Sequence, residues 1–334
     1  MPTRYSIRHI TRFNYDVPVS ESLMEVRMQP RTEGTQRCLR FELAVAPRAR
    51  VFAYRDHLGN SVHHFDTPAR HTQLTLTARA YVELDPLPTT PESLDPRTWR
   101  EVDTWTGRSD LWDFLQPSRF AIWTPALRDY VESVTGIAAR ANDPLTAIRM
   151  LLQRIHADFE YVPRSTRVDS PIDEALSARR GVCQDFAHIM IAASRLIGLP
   201  CRYVSGYIAP KPDDEVSRLE ASATHAWVEV RLPTLGWVGL DPTHNGEAGL
   251  RHVRVAVGRD YADLPPTRGV FKGGAGSTLT VAVDVSPSEA PAALEPMLPE
   301  PQWATEESAI PDADFERQAQ MQQQQQQQYS RRQT

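Results

Sequence analysis

A change of hydrophobic period constrains this chain more than any other feature. Through the first 85 residues apolar side chains recur at every second position, the mark of strands with one buried face. Met24, Val26 and Met28 alternate with Glu25 and Arg27, and Leu39, Phe41, Leu43 and Val45 alternate with Arg40, Glu42 and Ala44. The longest run is Leu74, Leu76, Ala78, Ala80, Val82 and Leu84, separated by Thr75, Thr77, Arg79, Tyr81 and Glu83. His57-Leu58-Gly59-Asn60 supplies turn chemistry between two of the segments. Short strands joined by turns, with no helical stretch among them, predict an antiparallel β-sandwich-like domain over residues 1–90.

After the Pro-rich stretch Asp85-Pro86-Leu87-Pro88-Thr89-Thr90-Pro91 the period becomes helical. Asp143 before Pro144 is a capping side chain with proline at an early helical position, and Leu145, Ile148, Leu151, Leu152 and Ile155 follow on one face. Ser170 to Leu176 reads as a short helix. Phe186, Ile189, Met190, Ala193 and Ile197 form a further stripe, closed by Gly198-Leu199-Pro200. Strands are expected at Cys201 to Ile208, Thr224 to Val230, Gly236 to Asp241 and Thr278 to Val285. Residues 91–286 therefore read as an α+β core that includes its own closing strand. Residues 287–334, rich in Pro and Glu and carrying seven consecutive glutamines from Gln322 to Gln328, hold too little apolar material for a core and are expected to form a disordered tail.

The chain's 334 residues are 41% hydrophobic, enough for one large core or two ordinary ones. A net charge of −5 without any Lys/Arg block argues against a nucleic-acid partner. No apolar run approaches the roughly 18 residues needed to span a bilayer, and the first residues lack a signal-peptide pattern. Three widely spaced cysteines, Cys38, Cys183 and Cys201, suit a reducing compartment. The expectation is a cytoplasmic protein without a membrane partner; composition leaves the oligomeric state open.

Two segments carry chemistry. Cys183 follows Gly181-Val182 where a helix begins, so its thiol faces unpaired N–H groups and the positive end of the helix dipole, both of which favour a thiolate. Thr224 to Val230 and Gly236 to Asp241 form a candidate hairpin. With opposed residue numbers summing to 466, Glu229 faces Trp237 and His225 faces Asp241, while Ala226, Val228, Val230, Val238 and Leu240 share the other, apolar face. A carboxylate fixing one nitrogen of a histidine whose other nitrogen reaches a thiol is the arrangement of an activated cysteine nucleophile. The Cys183 backbone N–H is a natural oxyanion donor, and Tyr161 is the candidate for a second. Trp227 and Trp237 either wall a substrate cleft or cover the sheet.

Gly181-Val182-Cys183-Gln184-Asp185-Phe186-Ala187, Gly198 to Tyr207, Thr224 to Val230 and Gly236-Trp237-Val238-Gly239-Leu240-Asp241-Pro242-Thr243 resemble the transglutaminase-like superfamily. The likeness extends to Gly258-Arg259-Asp260-Tyr261-Ala262-Asp263-Leu264 and to the N-terminal region, similar to the β-rich domain of the bacterial subfamily. The resemblance implies a papain-like core, a Cys183–His225–Asp241 triad, acyl transfer through a thioester on a protein or peptide substrate, and no cofactor. It adds Tyr261 to Trp227, Trp237 and Tyr161 as candidate substrate contacts.

Hydrolysis of amide bonds is the leading expectation, because no metal-dependent regulatory segment or secretion signal is apparent to restrain a cross-linker. Cross-linking of glutamine to an amine is the first alternative, and a binding module with an inert triad the second. His188, five residues beyond Cys183 on one helix, is rotated away from the thiol and expected to be structural. A zinc site from Cys183, His225 and His244 lacks the usual paired-ligand spacing, so no metal is expected. Gly273-Gly274-Ala275-Gly276 lacks the residues of a phosphate loop.

Overall fold

A computed structural model describes residues 2–135, 140, 142–211 and 223–289. The N-terminal half is a curled antiparallel sheet built on one long strand, β1 (Thr3–Val26). It is joined by β2 (Gln36–Ala46), β3 (Phe52–Arg55), β4 (Ser61–Thr67) and β5 (His71–Leu84) in the order β2-β5-β1-β4-β3. The first half of β1 pairs with β5, and after a register shift between Asn14 and Val19 its second half pairs with β4. One strand thus serves two sheet segments, and Tyr15, Val19, Met24, Val26, Phe65, Leu74 and Leu76 from both close on a shared core. The expected alternation in β2 breaks at a bulge between Cys38 and Arg40, which turns Leu39 out to 45% exposure.

Short helices α1 (Trp99–Asp103) and α2 (Ser109–Trp112) lead into α3 (Pro125–Thr135) and α4 (Pro144–Asp158). The Asp143 carboxylate caps α4, accepting from the Leu145 and Thr146 amides at 3.0 and 3.1 Å. Then come β6 (Glu160–Tyr161), α5 (Ile172–Ala178), β7 (Arg180–Gly181) and α6 (Cys183–Leu196). The last of these is buried along most of its length because it packs between α3, α4, α5 and a second sheet. That sheet contains β8 (Cys201–Ile208), β9 (His225–Leu232), β10 (Gly236–Asp241), β11 (Gly246–Glu247) and β12 (His252–Gly258), in the order β11-β10-β9-β8-β12.

The two final strands correct the expected boundary. β13 (Thr267–Lys272) and β14 (Ser277–Pro287) both pair with β1, β14 continuously from Tyr15↔Ser277 to Tyr5↔Pro287. The segment expected to close the α+β core returns instead to the N-terminal sheet, where Leu279, Val281, Val283 and Val285 reach its apolar face. The strand continues through Pro287, one residue into the segment expected to be tail; residues 290–334, which hold the glutamine run, lie outside the described residues. Among the described residues no helix is long and apolar enough to cross a membrane.

Candidate active site

Local chain geometry exposes Cys183. Arg179 ends α5 in the left-handed region, at φ 50°, and β7 pairs in parallel with β6, setting Tyr161 beside Gly181. Val182 is extended, with φ −119° and ψ 176°, and Cys183 is the first residue of α6. A side chain at Gly181 would place its Cβ 2.9 Å from the Asp185 side chain, so the turn requires glycine. Asp185 ties the turn together by accepting from the Val182 amide at 2.8 Å and from Thr166 Oγ1 at 2.5 Å. Burial pushes its carboxyl up to about 6, although both hydrogen bonds oppose the rise. As first residue of the helix, Cys183 has an amide without an intrahelical acceptor, and its side chain is half-buried.

The β9–β10 hairpin puts the other two residues in place with a register two residues from the one expected. Gly236 faces Leu232, Trp237 faces Arg231 and Leu240 faces Val228, so opposed numbers sum to 468. The turn is tighter than a five-residue loop because Thr234 and Gly236 adopt positive φ, 62° and 80°. A shift of two preserves the faces. His225 and Asp241 therefore share a face as diagonal neighbours rather than as a directly opposed pair, still within side-chain reach.

His225 Nε2 lies 2.7 Å from Asp241 Oδ2, both side chains being buried. The Cys183 side chain hydrogen-bonds the same ring, which leaves Nδ1 for the sulfur. Burial pulls the His225 pKa down, but the Asp241 charge and hydrogen bond, helped by Cys183, outweigh it and hold it at about 10. Asp241 is held well below the usual carboxylate range: burial would raise it, and the bonds from His225, His244 and His252 prevail. The arrangement is a buried imidazolium–carboxylate pair beside a thiol at a helix N-terminus.

The other expected contacts divide. Trp227 is fully buried, stacked on His225 with centroids 6.0 Å apart, and packed with Val204 and Val257 on the sheet. Trp237 meets Phe114 edge-on at 5.4 Å and carries the Arg202 guanidinium 4.4 Å above its ring. Both tryptophans cover the sheet, and both also line a cavity together with Glu229, Gly239 and His252. Tyr161 is 39% exposed beside Gly181, next to the turn that carries Cys183. Tyr261 lies half-buried against Tyr203, centroids 6.3 Å apart, and its amide donates to His188 Nε2 at 3.3 Å, the structural role expected for His188.

Two residues near Asp241 escaped the sequence reading in this role. His244 Nδ1 is 2.8 Å and His252 Nε2 3.0 Å from Asp241 Oδ2. Alternation of Val253, Val255 and Val257 was a readable strand signal that would have placed His252 at a strand start. His225, Asp241 and His252 are the residue types of a metal centre, yet the Gly249 amide donates to His252 Nδ1 at 3.2 Å. That donation puts the ring proton on Nε2, the atom a metal would need bare, so these residues form a hydrogen-bonded cluster.

Comparison with known proteins agrees with this picture. The model of the transglutaminase-like superfamily matches residues 132–242, and that of the bacterial transglutaminase-like N-terminal region matches residues 5–83. An uncharacterised protein of Mycobacterium leprae is 33% identical over 85% of this chain and 98% of its own. A protein-glutamine gamma-glutamyltransferase of Pseudomonas aeruginosa is 32% identical over 132 residues, 36% of this chain and 20% of its own length. A crystal structure of a candidate cysteine protease from Cytophaga hutchinsonii superposes with a TM-score of 0.67 at 20% identity, covering 87% of this chain and 92% of that one.

Proposed function

We propose, on the premise that the chain belongs to the transglutaminase-like superfamily, that it is a cysteine-dependent acyl-transfer enzyme acting on amide bonds of a protein or peptide. The observation that carries this reading is the single buried imidazole bridging Asp241 and the Cys183 thiol. Cys183 Sγ attacks the amide carbonyl carbon, and His225, held as an imidazolium by Asp241, delivers its proton to the leaving nitrogen. This leaves a thioester on Cys183 and a free amine. In the second step His225 removes a proton from the acceptor as it attacks the thioester, and the sulfur leaves as a thiolate beside the restored imidazolium. The Cys183 amide is suited to stabilise the oxyanion in both steps, and Tyr161, whose backbone pairs with Gly181, is the proposed second donor.

Water is the favoured acceptor. Water needs no binding site of its own beside the thioester, whereas cross-linking requires one for the amine. The cross-linking alternative draws its support from the Pseudomonas relative named for glutamyl transfer. A cytoplasmic setting belongs to the same proposal, supported by three free cysteines, and fractionation of cells tests it.

The decisive experiment is intact-mass analysis of glutamine-containing protein and peptide substrates after incubation with the enzyme, with and without a primary amine. Products that gain only water support hydrolysis, whereas retention of the amine establishes transfer. Equal turnover by a Cys183→Ala variant would refute Cys183 as the nucleophile, and no turnover by the wild type would leave a binding role.

A further inference from the structure

Asp241 receives more donors than the orientation of one catalytic imidazole requires. His252, the first residue of β12, lies with Nε2 3.0 Å from Asp241 Oδ2, and its Nδ1 accepts the Gly249 amide at 3.2 Å. An amide N–H only donates, so Nδ1 is bare and the ring proton points from Nε2 at the carboxylate. Burial lowers the His252 pKa despite its bond to Asp241, which keeps the ring neutral. A neutral donor satisfies a carboxylate lone pair without cancelling the charge that holds His225.

The placement of His252 is rigid. Its ring meets Trp227 edge-on at 5.2 Å, and Trp227 stacks on His225, so one indole touches both imidazoles, whose own centroids are 6.2 Å apart. The strand carrying it is clamped from the N-terminal half by two side-chain amides that imitate strand pairing. Gln36 accepts from the Arg254 amide and donates to the Arg254 carbonyl, both at 2.8 Å. Asn60 does the same to Val257 at 2.8 and 2.9 Å. His244 also donates to Asp241, but it sits in the turn after β10 with 22% of its side chain exposed, a looser support.

We propose that His252 is a positioning residue for the acyl-transfer site: it fixes the rotation of the Asp241 carboxylate and keeps it anionic, so that His225 presents Nδ1 to Cys183. The inference rests on the triad reading above. The titratable and charged groups around His252 are Asp241 of β10, His225 of β9, His244 of the following turn, and Arg254 of its own strand, which is paired at 3.3 Å with Glu229 of β9.

The test measures the rate of Cys183 alkylation by iodoacetamide against pH, read by peptide mapping of the full chain, in wild type, His252→Gln and His252→Asn. Glutamine carries an N–H near the position of Nε2 and retains the donor to Asp241. Asparagine places its oxygen near Nδ1, retaining the Gly249 contact, but stops short of Asp241. The Gln variant is expected to keep the wild-type profile. In the Asn variant the rate should fall by about tenfold, by analogy with the lower end for loss of an outer hydrogen-bond partner of a metal-ligating residue. The acid limb should also move to higher pH, because Asp241 has lost a donor that holds its charge. Melting temperatures of all three proteins set a common temperature below unfolding. A folded Asn variant with the wild-type profile, or equal loss in Asn and Gln, overturns the inference. A wild-type Cys183 that is inert to iodoacetamide, or indifferent to His225→Ala, overturns the triad reading and takes this inference with it.

Discussion

Cys183 is set apart from the other two thiols by what surrounds each sulfur. Burial pushes Cys38 up to about 11 and Cys201 up to about 12, in each case only partly offset by a hydrogen bond or a nearby arginine. Cys183 is half-buried at a helix N-terminus against an imidazolium. Brief treatment with iodoacetamide at neutral pH should therefore label Cys183 at least ~10-fold faster than either other cysteine, since the thiolate is the reacting species. Equal labelling of all three would count against its role as nucleophile. Asp241 has an equally specific environment, accepting from three imidazoles and from the Thr243 amide at 2.9 Å. An asparagine there offers one acceptor where donors converge, so Asp241→Asn should cost stability, about 1–3 kcal/mol for groups left unpaired. It should also lower turnover, by up to about 10⁴-fold if the effect matches the serine-triad example. Activity and melting temperature both close to wild type would mean that Asp241 only fills space.

Elements carry these residues with different degrees of freedom. The face assignment of β9 and β10 followed from alternation and survives in the structure, because a register error of two leaves every side chain on its own side. The register itself depends on the turn, where Thr234 accepts a left-handed conformation that neighbouring residues do not announce. β8 shows how tightly the sheet is packed behind the triad. A methyl group on Gly206 would lie 2.1 Å from the Val253 carbonyl oxygen and 2.5 Å from the Trp227 ring, and that indole supports both His225 and His252. Gly206→Ala should destabilise the fold by about 1–3 kcal/mol, the usual range for overpacking, and slow Cys183 alkylation as well. A melting temperature within a degree or so of wild type would show that the sheet yields more easily than these contacts imply.

At the scale of the molecule the two halves share one hydrophobic core. Tyr5, Ile7, Val82 and Leu84 of the N-terminal sheet pack in the same cluster as α4, α6 and the inner face of the second sheet. His9 Nδ1 meets the Tyr207 hydroxyl at 2.9 Å across the junction. Stability against pH should reflect the buried histidines. His225 titrates near 10 in the fold against an ordinary 6.5, so its contribution is complete below about 6.5 and is lost as the pH rises through about 10. His188 and His9 are lowered by burial to about 4 and about 3. They stay neutral in the fold while the unfolded chain protonates, so their effect is to remove stability as the pH falls below 6.5. Thermal melts should show a maximum near neutrality. The difference in melting temperature between wild type and His225→Gln should shrink from neutral pH towards pH 10, and a difference that grows over that range would contradict the assignment.

Local rules written in the sequence determined the strand-rich first half, the capped start of α4, the glycine-preceded cysteine at the head of α6 and the shared face of His225 and Asp241. Each depends on neighbours within a few positions, or on a period that a single element enforces. Long-range pairing decided the rest. β14 binds β1 because that edge of the N-terminal sheet presents free backbone groups and an apolar face to Leu279, Val281, Val283 and Val285, a fact no nearby residue records. His252 reaches Asp241 only because Gln36 and Asn60, more than 190 residues earlier, hold the backbone of β12 in place. Hydrogen bonds of that kind join donors and acceptors whose separation along the chain carries no periodic signature, so they come into existence with the tertiary fold.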